Sequence, residues 1–236
     1  MPTRGRPHNL ARLTDAYAAT IRADTHIIAA LDTDDPMLTA SRTQIEGRDR
    51  WVTVTGARRT LSGWTNHLAG LFMDDYRALA SFGDDHFPET VGWDQMLLAS
   101  LAQMGGTGLA YPNDLRRVDI PEAVVISSDI PRALGWMCEP HLHHYNVDSV
   151  WRDLGKGAHC LAYRPDVIVR HEHPNVTASV AIDRTYAEAS KYERDDYRAY
   201  VQWRIRRMPV DVATVRRLSE TARQTSGRDE HPRSFA

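Results

Sequence analysis

The chain has 236 residues, of which 42% are hydrophobic and 25% charged, as in an ordinary globular protein. Its 29 Lys and Arg against 31 Asp and Glu leave a formal net charge of -2, without the basic excess expected for binding duplex nucleic acid. Two cysteines exclude a disulfide framework and a four-cysteine zinc site, and the lack of an apolar run of roughly 20 residues or an apolar signal core predicts a cytoplasmic protein without a membrane span.

The first 130 residues alternate between predicted helices and strands. The evidence is apolar residues at helical spacing, continuous apolar runs and alternating β-formers. The predicted elements are helices over 9–22, 66–75 and 93–104, strands over 26–31, 51–55, 76–82, 109–111 and 124–126, and a helix toward Trp136 that Ser127 or Ser128 caps. This alternation implies an α/β fold with a mainly parallel sheet flanked by helices.

The pattern changes in the remaining chain. A helix is predicted over 147–154, a strand over 167–171, and helices from residue 183 on. We therefore expect one domain over residues 1–182, a C-terminal helical extension over 183–224 that packs on it, and a polar, disordered tail over 225–236.

Acidic residues follow two of the predicted strands. Asp32 begins one cluster after the strand over 26–31, and Asp84 and Asp85 follow the strand over 76–82. Ligands of open α/β sheets collect outside the carboxyl ends of the strands, and adjacent carboxylates repel each other unless a cation neutralises them. Taken alone, Asp84 and Asp85 could equally form a solvated acidic turn, but the second cluster favours the cation.

Histidines supply further candidate metal ligands. The run His141-Leu142-His143-His144 suggests zinc, because zinc hydrolases use three such ligands and an open position. The pattern His-x-His-x-Asp-His would need Asp where Tyr145 stands, and no His-Glu-x-x-His motif is present. Surface or pocket-rim histidines are therefore the alternative to a zinc hydrolase.

A second histidine pair, His171 and His173, ends the strand over 167–171 and points to one side. These side chains either complete the coordination of a cation held by Asp84 and Asp85 or are one core and one loop histidine. The residues alone leave both interpretations open.

Two further features suggest anion binding and proton transfer. The loop Pro2-Thr3-Arg4-Gly5-Arg6-Pro7 suits an anionic ligand, because Arg side chains bind phosphate and Gly lets backbone amides approach; a flexible basic terminus is the alternative. Asp148, at the start of the helix over 147–154, is either a general base or a first-turn acid that complements the helix dipole.

Three short motifs follow one another along the chain: Gly83-Asp84-Asp85-His86, Gly92-Trp93-Asp94 and His171-Glu172-His173-Pro174. Together with the basic loop and the acidic strand ends, their order resembles the GT-A fold of nucleotide-sugar glycosyltransferases. The resemblance is to family-2-like transferases, in particular small actinobacterial and phage-encoded members, and covers roughly residues 2–185.

The resemblance implies a role for each matching position. Asp148 would be the base of an inverting transfer. The implied metal ligands, for Mn²⁺ or Mg²⁺, are Asp84, Asp85, His171 and His173. The implied nucleotide-sugar-binding residues are Thr3, Arg4, Arg6, Asp32, Asp34, Asn66, Asp84 and Trp93. Because the sequence has Asp-Asp where the family has Asp-x-Asp, the carboxylate that touches the metal is left open.

The expected function is that of a metal-dependent glycosyltransferase, with a GT-A-like domain followed by a C-terminal helical segment. The donor would be a nucleotide sugar, and the acceptor a protein, a glycan, a small molecule or modified DNA. The expected location is the cytoplasm, or the host cytoplasm for a phage-encoded protein. The alternatives are an inactive nucleotide- or glycan-binding protein on the same fold and a zinc hydrolase that uses the cluster from His141 to His144.

Overall fold

A computed structural model of the protein describes residues 1–173 and 184–229. The strands are β1 (Pro2–Thr3), β2 (Ile27–Asp32), β3 (Trp51–Gly56), β4 (Ala78–Ser81), β5 (His86–Pro88), β6 (Leu109–Asn113), β7 (Val124–Ser127) and β8 (Leu161–His171). The helices are α1 (Pro7–Thr20), α2 (Leu38–Ile45), α3 (Leu61–Phe72), α4 (Trp93–Gln103), α5 (Asp129–Leu134), α6 (Val147–Gly157), α7 (Arg184–Ala189), α8 (Glu193–Arg206) and α9 (Met208–Asp229), with a 3₁₀ turn over Ser190–Tyr192.

The alternation of helices and strands predicted for the first part of the chain is confirmed, with shifted boundaries. Helix α3 begins at Leu61, well before residue 66, because the Thr60 side chain caps it by accepting a hydrogen bond from the Gly63 amide. Ser128 does not cap α5; its hydroxyl donates to the carbonyl of Tyr76. Helix α2 and strand β5 were not predicted, since both are short and carry few apolar residues.

The strands form two sheets rather than one mainly parallel sheet. The first is parallel, in the order β1-β2-β3. The second has the order β4-β7-β6-β8-β5 and is mixed: β6 and β8 are parallel, whereas β7 runs antiparallel to β4 and β6, and β5 runs antiparallel to β8. The connection from β6 to β7 contains no helix, and a parallel pair needs a longer crossover, usually helical. The α/β class is thus confirmed, but only part of the sheet is parallel.

The apolar faces of several helices pack in the core beside the mixed sheet. Tyr17 of α1 and Leu97 of α4 contribute to one buried cluster, and Trp151 of α6, Trp203 of α8 and Val215 of α9 contribute to another. The C-terminal helices therefore complete the main core, as expected if removing apolar surface from water drives their packing.

The C-terminal helix is longer than the sequence predicted. Helix α9 continues to Asp229, so residues 225–229 of the expected disordered tail are helical, and the rest of that tail lies outside the described residues. Of the helices in the described part of the chain, none has both the length and the apolar character that crossing a membrane requires.

Candidate functional site

A cleft of about 1310 Å³ opens where the carboxyl ends of β1, β2 and β4 meet the start of α6 and helix α7. It brings together most of the residues predicted from the sequence. The predicted residues that line it are Thr3, Arg4, Arg6, Asp32, Asp84, Asp85, His143, His144, Asp148, His171 and His173.

Asp84 anchors the N-terminal segment to the turn after β4. Its side chain is buried, and its two carboxylate oxygens accept hydrogen bonds from the Thr3 hydroxyl and the Arg6 guanidinium, both at 2.7 Å. Burial raises the pKa of Asp84, while the charge of Arg6 opposes that rise. Both oxygens therefore have protein partners, and the carboxylate holds the basic loop in place.

Asp85 faces the other way, toward two histidines and a tyrosine. Its Oδ2 accepts a hydrogen bond from the Tyr186 hydroxyl at 2.6 Å and lies 3.6 Å from Nε2 of His171, while its Oδ1 lies 3.0 Å from Nδ1 of His86. Burial alone would raise the pKa of Asp85, but its contacts with His171 and His86 hold that pKa well below its usual value. Asp85 is therefore an ionised carboxylate inside the cleft.

The pairing of β5 with β8 places the two histidines side by side. His86 and His171 are direct partners in the antiparallel register, and their rings stack with centroids 4.0 Å apart. Burial, followed by the charge of His171, lowers the pKa of His86. His86 is therefore the neutral member of the pair.

Glu122 orients His171 and was not predicted from the sequence. Its Oε2 lies 2.7 Å from Nδ1 of His171, and its two oxygens each accept a hydrogen bond from Arg116 at 2.9 Å. Burial raises the pKa of Glu122, yet its bond with His171 brings it down to about 2. A histidine that binds a metal through one ring nitrogen usually donates the N–H of its other ring nitrogen to a carboxylate, which orients the ring. Glu122 is placed for this role at Nδ1 of His171, which leaves Nε2 on the side of Asp85.

Two overlapping groups of side chains in the described part of the chain could hold a metal ion. One consists of Asp85, His86 and His171, and the other of Asp114, Glu122 and His171; within each, the donor atoms lie within 4.8 Å of one another. Asp84 and His173 were predicted as ligands but belong to neither group. Carboxylate oxygen together with imidazole nitrogen is a donor set that divalent transition metals accept.

The predicted zinc cluster is occupied by other contacts. His141 pairs with Glu139 at 2.8 Å, and His143 pairs with Asp196 at 2.9 Å. Neither histidine belongs to a potential ligand group within residues 1–173 and 184–229. Within the described residues, the histidines of this cluster therefore do not form the ligand set that a zinc hydrolase needs.

His171 should make stability depend on pH. Burial alone would lower its pKa, but Asp85 and Glu122 outweigh that effect, so the pKa rises from its usual value of 6.5 to about 9. The folded state thus binds this proton more tightly, so the stabilisation is complete below pH 6.5 and is lost as the pH rises through about 9. We expect the free energy of unfolding of the wild type to fall by about 3 kcal/mol relative to that of His171→Gln over this range.

Urea denaturation of both proteins, at about pH 6 and about pH 9.5, measures this difference. His171→Gln is a suitable comparison because the amide keeps hydrogen-bonding groups near Asp85 and Glu122 but does not titrate. The same pH dependence in the two proteins would show that His171 does not hold the extra proton.

Asp148 lies at the first turn of α6, behind Asn146, whose φ of 63° turns the chain into the helix. Its Oδ1 accepts a hydrogen bond from the Ser149 amide at 2.6 Å. Burial raises the pKa of Asp148, and the Ser149 amide opposes that rise. The half-buried carboxylate lines the cleft and holds a proton more readily than an exposed Asp does.

The acidic cluster after β2 holds the basic loop. Asp32 is buried and accepts hydrogen bonds from the Trp64 indole at 2.7 Å and from Arg4 at 3.1 Å. Arg4 also pairs with Asp34 at 2.7 Å, and Asp35 accepts a hydrogen bond from the backbone amide of Gly5. These contacts fix the loop at the rim of the cleft, and Trp64 is a second residue that sequence reasoning missed.

Three residues predicted to bind the nucleotide sugar do not line the cleft: Asp34, Asn66 and Trp93. The Asn66 side chain donates to the carbonyl of Cys138 and accepts from the amides of Met137 and Cys138, so it braces a loop. The motif residue Pro174 lies outside the described residues.

Trp93 is a core residue. It is 2% exposed, and its ring packs 5.0 Å from that of Phe82 and 6.0 Å from that of Tyr17. The neighbouring motif residue Asp94 accepts hydrogen bonds from the backbone amides of Arg22 and Ala23. The Gly-Trp-Asp motif therefore fastens α1 to α4, away from the cleft.

No protein-family model matches this chain, and no curated protein matches its sequence. The chemistry of the cleft therefore carries the functional argument.

Proposed function

We propose that the protein is a metal-dependent glycosyltransferase that moves a sugar from a nucleotide-sugar donor to an acceptor hydroxyl with inversion. One observation carries the proposal: a single cleft contains the basic loop, the facing pair of Asp85 and His171, and the half-buried carboxylate of Asp148. These are the three parts that such a transfer needs, namely a diphosphate site, a cation site and a base.

Arginine side chains support a diphosphate site. A guanidinium group offers paired donors that match phosphate oxygens, and it keeps its charge at any physiological pH. The arginines that line the cleft are Arg4, Arg6, Arg58, Arg59, Arg116, Arg117 and Arg194. Arg4 and Arg6 are already positioned by Asp32 and Asp84, so their orientation is set before a ligand binds.

Asp85 and His171 are the residues that would hold the cation. They fit it because the Asp85 oxygen and the His171 nitrogen face each other across 3.6 Å, and because Glu122 supports the far side of the imidazole. The cation would take the place of the second proton of His171, since only a neutral imidazole binds a metal. A bound Mn²⁺ or Mg²⁺ supplies positive charge that neutralises the diphosphate leaving group. The mixed oxygen and nitrogen donors favour Mn²⁺, since Mg²⁺ prefers oxygen ligands and retained waters.

In the proposed transfer, the acceptor hydroxyl attacks the anomeric carbon of the sugar while the bond from that carbon to the diphosphate oxygen breaks. Asp148 accepts the hydroxyl proton. The raised pKa of Asp148 suits this role, because a base works best when its pKa approaches the working pH. The arginines of the basic loop stabilise the charge that develops on the departing diphosphate.

An inactive nucleotide-binding protein on the same fold is the second candidate. The observation that favours it is the hydrogen bond from Tyr186 to Asp85 Oδ2, the oxygen nearest to His171. If that contact persists, nucleotide binding would not depend on a cation.

A panel of nucleotide sugars tests the proposal. We expect one donor class to raise the melting temperature in the presence of Mn²⁺ or Mg²⁺ but not with a chelator, and to release its nucleoside diphosphate slowly in water. A rise in melting temperature that is the same with and without the chelator, and no release of nucleoside diphosphate, would favour the inactive binding protein. No stabilisation by any donor with either cation would remove the proposed function.

A further inference from the structure

The wall of the cleft next to α6 is aromatic. His143, Tyr145, Tyr192 and Tyr197 all line it. The rings of His143 and Tyr192 are parallel within 4° and stacked, with centroids 4.5 Å apart. Tyr192 is 37% exposed and Tyr197 is 60% exposed. We call the stacked His143–Tyr192 pair with Tyr197 the aromatic wall.

A buried carboxylate holds this wall in place. Asp196 of α8 is fully buried and accepts hydrogen bonds from the backbone amides of His143, His144 and Tyr145, at 2.8 to 2.9 Å. Its Oδ1 also lies 2.9 Å from Nδ1 of His143, which fixes the plane of that ring. A buried carboxylate with this many partners fixes geometry, and here it fixes the His143 ring on which Tyr192 stacks.

We propose that the aromatic wall is the acceptor subsite and that the acceptor is a carbohydrate; this inference rests on the proposed function. The C–H groups on one face of a sugar ring carry partial positive charge and are attracted to the negative face of an aromatic ring. The polar groups of Asn146 and Ser149, which also line the cleft, lie in the same stretch of chain and offer partners for sugar hydroxyls.

The size of the cleft leaves room for this second ligand. A typical single-ligand pocket measures roughly 300–1,000 Å³, whereas the cleft measures about 1310 Å³. The wall and the proposed base line the same cleft, and five residue steps separate His143 from Asp148, a span of at most about 18 Å. A sugar chain that extends along the cleft from the wall would present a hydroxyl to the Asp148 carboxylate.

An array of glucose, mannose, galactose and N-acetylglucosamine oligomers, in both α and β linkages, tests the inference. We expect the wild-type protein to bind at least one of these oligomers. Tyr192→Ala and Tyr197→Ala should weaken that binding by about tenfold each, because each removes one stacking face. Tyr192→Phe, which keeps the ring, should bind like the wild type. Ile205→Ala changes another exposed residue of α8, outside the cleft lining, and should also leave the binding unchanged.

The possible outcomes separate this inference from the proposed function. A wild-type protein that responds to a nucleotide sugar but binds no oligomer on the array overturns the carbohydrate subsite alone. Oligomer binding without any response to nucleotide sugars overturns the transferase and leaves the subsite standing. Equal binding by the wild type, Tyr192→Ala and Tyr197→Ala shows that the sugar binds elsewhere, and it too overturns the inference.

Discussion

Replacing Asp85 with Asn is expected to abolish the rise in melting temperature that Mn²⁺ and a nucleoside diphosphate together give the wild-type protein. The amide has almost the same shape as the carboxylate but carries no charge and keeps only one acceptor oxygen. At a ligand concentration of about 100 times Kd, binding adds about 2.7 kcal/mol of stability. For a chain of this size, that corresponds to a rise of about 5–10 °C in the wild type. Scanning fluorimetry with and without the two ligands measures it.

Two further variants show whether the loss in Asp85→Asn is specific to that carboxylate. Asp166→Asn alters an exposed acid of β8 that pairs with Arg164, and it should keep the full rise. Asp84→Asn should lower the melting temperature without ligands, because Asp84 anchors Arg6 and Thr3 rather than facing His171. A full rise in Asp85→Asn would show that the cation binds elsewhere, and the group of Asp114, Glu122 and His171 would be the next to test.

Replacing Asp148 with Asn is expected to lower the turnover number by about 10²–10⁴-fold, which is the usual contribution of a general base. The affinity for the donor should stay nearly unchanged, because the loss of proton acceptance affects the transition state more than donor binding. Stability should change little or rise slightly, since burial raises the pKa of Asp148 and so disfavours its charged form. Turnover, donor affinity and melting temperature are to be measured on the same preparation.

The alternative role of Asp148 gives the opposite result. An acid that only complements the dipole of α6 would leave turnover unchanged when replaced, and stability would fall by about 0.3–1 kcal/mol. Asp166→Asn is again the matched control, because it makes the same chemical change at an exposed position outside the cleft lining. Unchanged turnover in Asp148→Asn would remove Asp148 from the catalytic residues.

The ends of the strands that carry Asp32 and Asp84 could be predicted from the sequence, because apolar runs located both strands. The meeting of Thr3 and Arg6 with Asp84 was implied only by the resemblance, since β1 and β4 belong to different sheets. The position of Asp148 at a helix start also followed from local pattern alone. Signals of this kind need only a few consecutive residues.

The partners of Asp85 and His171 could not be found in this way. Glu122 is 49 residues from His171, and Tyr186 is 101 residues from Asp85, so these contacts depend on how strands and helices pack. At Trp93 the resemblance implied a ligand contact where the structure has a core residue, because an aromatic residue between Gly and Asp looks the same in either place. Only the burial of its ring against Phe82 separates the two.

The bonds between Asp196 and the backbone of residues 143–145 have a consequence for how the protein opens. Exposed loops usually fluctuate independently, at little cost in free energy. Here the loop amides can release Asp196 only if α8 shifts or the loop itself rearranges, so the loop and the helix form one cooperative unit. The rigidity of this side of the cleft therefore depends on α8, which lies more than 45 residues further along the chain. A substitution that destabilises the packing of α8 would make this side of the cleft more mobile, even if the substituted residue does not line the cleft.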